Sequence, residues 1–121
     1  MYSPASVNAD LVRALMESMT IEDKIGQMIM VGFDDRSLTP ELEDHLNEVH
    51  AGNVIFLGRN YADPQQMWEF TNALQRMASC RSVPVGFFTA IDQEGGVVAR
   101  LLNGVTVFPG NKIGRASCRE R

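Results

Sequence analysis

The residues best able to do chemistry in this chain sit together in Asp92-Gln93-Glu94-Gly95-Gly96, directly after the apolar run Val85-Gly86-Phe87-Phe88-Thr89. Such a run reads as a buried strand. Asp92 therefore falls at a strand's carboxyl end, where an α/β barrel keeps its ligand contacts. Gly95 and Gly96 let backbone come close to whatever binds there. A second carboxylate, Glu94, stands two residues beyond Asp92, and in extended chain such residues share a face roughly 6.6 Å apart. That spacing is compatible with a catalytic carboxylate pair. His45 and His50 lie on or just after a helix at a spacing of five, which does not align them for a metal, and both are expected to be solvated. Cys80 belongs to no Cys/His spacing suited to zinc.

To carry Asp92, the chain alternates helical and strand patterns. Apolar Leu11, Leu15 and Met19 are four apart and predict an amphipathic helix over residues 8–19. Thr20 with Asp23 offers a cap for a short helix through Ile25. The unbroken run Met28-Ile29-Met30-Val31-Gly32 predicts a strand covered on both faces, with Asp34-Asp35-Arg36-Ser37 as its exit loop. Thr39 before Pro40 starts a helix that buries Leu42, Leu46 and Val49 and is stopped by Gly52. A second strand, Asn53 to Leu57, exits through Gly58-Arg59-Asn60-Tyr61. Asp63-Pro64-Gln65-Gln66 repeats the start signal, with Gln66 placed to complete a capping box, and Met67, Phe70, Leu74 and Met77 form the inner stripe of the helix that follows. Residues 84–91 are the third strand. Strand, helix, strand order with short loops implies parallel pairing through right-handed crossovers. Pattern alone leaves two architectures open, a barrel or a doubly wound sheet, and no dinucleotide-binding glycine fingerprint follows a strand.

Residues 113–121, Ile-Gly-Arg-Ala-Ser-Cys-Arg-Glu-Arg, can be back-translated into a common sequencing-adapter sequence, with Lys112 across the junction. We expect native sequence over 1–111 and a non-native tail over 112–121, which is set aside for fold reasoning. The net charge of −4 over the full 121 residues then becomes −7, from seven basic and fourteen acidic groups. An acidic chain without a basic cluster argues against nucleic acid as a partner. No apolar run approaches the roughly 20 residues needed to cross a membrane. With no signal-peptide pattern at Met1 to Asn8, a soluble, cytoplasmic product is expected. The chain is too short for a complete eight-stranded barrel, which takes about 250 residues.

Several segments in order carry a resemblance: Lys24-Ile25-Gly26-Gln27-Met28, Val54-Ile55-Phe56-Leu57-Gly58-Arg59-Asn60-Tyr61, Ile91-Asp92-Gln93-Glu94-Gly95-Gly96 with Arg100, and Phe108-Pro109-Gly110. Together they resemble glycoside hydrolase family 3, and within it the bacterial β-N-acetylhexosaminidase branch. The resemblance covers about Met19 to Asn111, the first third or so of that family's catalytic domain. It implies an α/β fold, the N-terminal fragment of a (β/α)8 TIM-type barrel with about three of its strands, and a retaining exo-β-N-acetylhexosaminidase as parent, without a cofactor. The expected partner is a small carbohydrate, an N-acetylglucosamine-containing oligosaccharide or muropeptide. Alternatives are a β-glucosidase of the same family, a phosphate-handling barrel, or a truncated carbohydrate-binding domain without chemistry.

Carried over residue by residue, the resemblance makes Asp92 and Arg100 the substrate-binding groups. An ionised carboxylate accepts hydrogen bonds from vicinal sugar hydroxyls, and Arg100 offers donors in a planar fork that grips hydroxyls or holds Asp92. A retaining glycosidase wants its carboxyls about 5–5.5 Å apart. The family's nucleophile is nevertheless an aspartate later in the barrel, and its acid/base in this branch is a histidine with an aspartate partner. No catalytic residue is therefore expected in this chain. Glu94 is read as a loop organiser bonding nearby backbone amides, and Arg59 and Asn60 as supports of the pocket floor. Val97 stands where the family usually has an arginine.

Overall fold

The computed structural model describes residues 9–110, so the expected tail over 112–121 lies outside the described residues. Helix α1 (Ala9–Ser18) and the short α2 (Ile21–Gly26) precede strand β1 (Met30–Gly32). Helix α3 (Pro40–Glu48), β2 (Asn53–Phe56), a single 3-10 turn (Gly58–Asn60), α4 (Pro64–Ser79) and β3 (Phe88–Ile91) follow. A hairpin of β4 (Gln93–Gly95) and β5 (Val98–Ala99) completes the elements.

The start signals act as their chemistry dictates. Thr20 accepts from Asp23 N while Asp23 Oδ2 accepts from Thr20 N, a reciprocal capping box. Thr39 accepts from Leu42 N ahead of Pro40, and Asp63 accepts from Gln66 N ahead of Pro64. Gln66 does not close a box on Asp63. Its Oε1 accepts from Ala62 N instead, one residue earlier, and its amide donates to Asn60 O. Gly52 does not stop α3 either. The helix ends at Glu48 with Val49 as its C-cap, and His50 takes the left-handed conformation with φ of 50°. Gly52 is bare because Gln27 passes over it, so that a Cβ there would lie 2.5 Å from Gln27 Cα. Its N–H donates to Gly26 O at 2.9 Å, which ties the entry of β1 to the entry of β2.

β1, β2 and β3 form one parallel sheet in that order, with Val31 beside Val54 beside Thr89. Crossovers of one hand that keep stepping in the same direction place both connecting helices on the same face. Packing agrees. Val54 and Phe56 of β2 share a single core with Leu42 and Leu46 of α3 and with Phe70, Leu74, Met77 and Ala78 of α4. Phe33, Phe56 and Phe70 meet edge-to-face with centroids 5.5–5.7 Å apart. The opposite face of the sheet carries Met30 and Phe88, the latter 73% exposed. Three strands in consecutive order with both crossover helices on one face are successive β/α units, as expected of the first part of a barrel.

Four elements differ from the sequence reading. β1 and β3 are shorter than their apolar runs, because Met28 and Ile29 form the turn out of α2 and residues 84–87 belong to no strand. Helix α1 forms, but it buries none of its residues, and Leu11 is exposed although it belongs to the apolar stripe. The acidic segment is not a plain loop: it forms β4, and Gly96 and Val97 turn the β4–β5 hairpin.

Candidate functional site

Asp92 directly follows Ile91, the last residue of β3, and so stands at the carboxyl end of the sheet as its position after the strand requires. Its side chain is half exposed. Arg100, at the end of β5, returns to it across the hairpin. Arg100 Nη2 is 3.7 Å from Asp92 Oδ2, inside ion-pair range and outside hydrogen-bonding distance. Both predicted site residues are thus brought together with hydrogen-bonding capacity to spare. Gly58, at the exit of β2, lies beside the Arg100 stem, where even a Cβ would sit 3.8 Å from Arg100 Cδ in ordinary contact. Among the described residues, Arg100 Nε is buried without a hydrogen-bond partner.

The glycines serve a different neighbour from the one expected. Gly95 and Gly96 both have positive φ, and a Cβ on Gly95 would fall 2.5 Å from Phe108 O. Gly96 N–H donates to that same oxygen at 3.0 Å. The close approach is to the chain's own Phe108-Pro109-Gly110 segment, which docks the hairpin tip. Nor does Glu94 organise the loop. It is exposed and makes no side-chain hydrogen bond among the described residues, whereas Gln93 makes three. Gln93 was missed because an amide between two carboxylates draws no attention, although it alone of the three can both donate and accept.

Support from below is built by the exit loops of β1 and β2. Asn60 is fully buried with both of its amide polar atoms bonded: Oδ1 accepts from Leu57 N at 2.7 Å, and Nδ2 donates to Phe33 O at 3.0 Å and Asp35 O at 2.8 Å. Arg59 Nε donates to Phe33 O at 3.1 Å and pairs with Asp34. The supporting roles expected of both residues match these bonds. The segment after the hairpin is fastened here as well, through Tyr61 O–H donating to Asn103 O and Asn103 Nδ2 donating to Ala62 O.

At the opposite end of the sheet, a cavity of about 330 Å³ opens between α2, α3 and the end of α4, lined by Asp23, Gln27, Asn47, His50, Cys80 and Arg81 among others. His50 is not simply solvated, since its Nδ1 lies 2.7 Å from Asp23 Oδ1. That contact, then the Thr20 amide, holds the Asp23 carboxyl below its ordinary value. Arg81 donates to Asn47 Oδ1, Ala51 O and Leu46 O and stacks 4.6 Å over Phe87. Burial lowers its pKa from the usual arginine value. These groups fasten the N-terminal ends of the strands, the end of a barrel that serves stability. Among the described residues no cluster of three or more His, Cys, Asp and Glu could hold a metal ion, and no helix is long and apolar enough to cross a membrane.

Comparison with known proteins places this arrangement. The glycosyl hydrolase family 3 N-terminal domain matches residues 20–118. Beta-hexosaminidase A of Pseudoalteromonas piscicida is 33% identical over 110 residues, covering 77% of this chain and 18% of that protein. A solved glycoside hydrolase family 3 β-N-acetylglucosaminidase from Paenibacillus sp. superposes with a TM-score of 0.71 at 40% identity, over 77% of this chain and 18% of that one. NagZ of Neisseria gonorrhoeae, solved with N-trifluoroacetyl-D-glucosamine, superposes with a TM-score of 0.64 at 26% identity, over 76% of this chain and 26% of its own. The chain therefore spans roughly a fifth to a quarter of the length of these relatives.

Proposed function

The chain belongs to glycosyl hydrolase family 3, and on that premise we propose that it forms the sugar-binding first part of a retaining exo-β-N-acetylhexosaminidase. Its parent releases terminal β-linked N-acetylglucosamine from muropeptides or chitin-derived oligosaccharides in the cytoplasm, through a covalent glycosyl-enzyme intermediate and without a cofactor. The observation that carries this reading is the convergence of Asp92 and Arg100 at the carboxyl end of β3, 3.7 Å apart and not consumed by each other. Asp92 has both carboxylate oxygens for adjacent ring hydroxyls, and bonds to an ionised acceptor are about twice as strong as neutral ones. Arg100 turns its Nη edge to the same place and balances that charge. Among the described residues Glu94 makes no side-chain hydrogen bond and no ion pair with Asp92's partner Arg100.

Nucleophile and acid/base belong to later parts of the barrel, so the 121 residues alone turn over no substrate. The whole product of the gene, read onward from the source DNA, tests the assignment. It should hydrolyse 4-nitrophenyl N-acetyl-β-D-glucosaminide at least about 10²-fold better than the corresponding β-glucoside, the discrimination a site bonded to the acetamido group gives. Equal or inverted preference would move the protein to the β-glucosidase reading.

A further inference from the structure

Gln93 ties down the backbone that carries Arg100. Its Oε1 accepts from Arg100 N at 2.8 Å and from Leu101 N at 3.0 Å, and its Nε2 donates to Leu101 O at 3.2 Å. The hairpin ladder itself is short and irregular there, pairing Gln93 with Ala99 and Gly95 with Val98 across a register shift. It ends before Arg100. The Arg100 side chain has no hydrogen bond to fix it among the described residues: Nε is buried and unpartnered, and Nη2 stands 3.7 Å from Asp92. A guanidinium held so loosely at its tip takes its position from its backbone. We infer that Gln93 is a positioning residue that sets Arg100 against Asp92, one residue from each through chain or hydrogen bond, and thereby fixes the width of the sugar-binding notch. The inference rests on the reading of Asp92 and Arg100 as sugar-binding groups.

A double-mutant cycle in the whole gene product, with the same chromogenic N-acetylglucosaminide, tests it. Gln93→Ala removes all three bonds. Gln93→Glu keeps both acceptor bonds to the Arg100 and Leu101 amides but replaces the donor bond to Leu101 O by an acceptor facing an acceptor. The expected result is a KM raised about tenfold in Gln93→Ala with kcat within about twofold, and a smaller rise in Gln93→Glu. In an Arg100→Ala background, Gln93→Ala should add less than about a twofold change. An unchanged KM in Gln93→Ala, or a KM effect equally large without Arg100, overturns the inference while leaving the function reading intact. Should Gln93→Ala fail to fold, Gln93→Glu and its Arg100→Ala combination decide in the same way. A wild-type protein with no activity on the substrate overturns the function reading, and the inference falls with it.

Discussion

Asp92 and Glu94 carry the same chemistry two residues apart, and only their surroundings separate them. Asp92 faces Arg100, whereas Glu94 points from a two-stranded hairpin into solvent with no partner among the described residues. Glu94→Gln in the whole gene product is therefore expected to leave kcat/KM within about threefold, and a loss beyond about 10³-fold would make Glu94 catalytic. Alternation along a strand decides which side chain reaches back to the backbone, and a one-residue error exchanges the roles of neighbours. For that reason the sequence reading gave Glu94 the bracing role that Gln93 performs. Asn60 was easier to place, because a polar residue closing a strand's exit loop has backbone groups to satisfy. With three bonds and no exposure, Asn60→Ala should cost about 3 kcal/mol in chemical denaturation of the whole gene product. Asp23 gives a pH signature. Its folded pKa is lowered from 3.8, so its contribution is fully present above that unfolded value and is lost as pH falls through the lower folded value. The stability difference between wild type and Asp23→Asn should accordingly shrink below about pH 3.8 in acid titrations of denaturation midpoint.

Caps and stripes were the most readable features of the chain, because each depends on residues within one turn of each other. Thr20, Thr39 and Asp63 all cap as their sequence contexts require, and Phe70, Leu74 and Met77 all face the core. Features set by distant approach were not readable. Gly26 and Gly52 are small because His50 and Gln27 lie against them, and Gly95 because Phe108 does. Nothing local marks such neighbours. The apolar stripe of α1 likewise describes a helix correctly without saying whether anything covers it. Gly95→Ala combines a φ of +81° with a Cβ 2.5 Å from a carbonyl oxygen, so it should undock the hairpin from Phe108. Faster amide exchange at Gly96, whose N–H donates to Phe108 O, would report that release, and unchanged protection would contradict it.

Consecutive strand order with both crossover helices on one face, and the likeness to solved family 3 enzymes, make the described residues a wall of a barrel whose helix-free face carries the exposed Met30 and Phe88. Apolar surface left open beside unpaired strand edges favours self-association. The 121-residue chain by itself should therefore elute as oligomers in size-exclusion chromatography, and a monodisperse monomer would show that this helix-free face is covered some other way. The wall also explains why chemistry and fastening occupy opposite ends of the sheet. Asp92 and Arg100 stand where strands exit, and the Asp23–His50 and Arg81 contacts hold where strands enter. Sugar binding by Asp92, as proposed, is read from kcat/KM for 4-nitrophenyl N-acetyl-β-D-glucosaminide in the whole gene product with and without Asp92→Ala. Removing a charged acceptor of two hydroxyl bonds should lower kcat/KM by on the order of 10²-fold or more with the thermal midpoint little changed. A variant that keeps wild-type kcat/KM would contradict the assignment of this site.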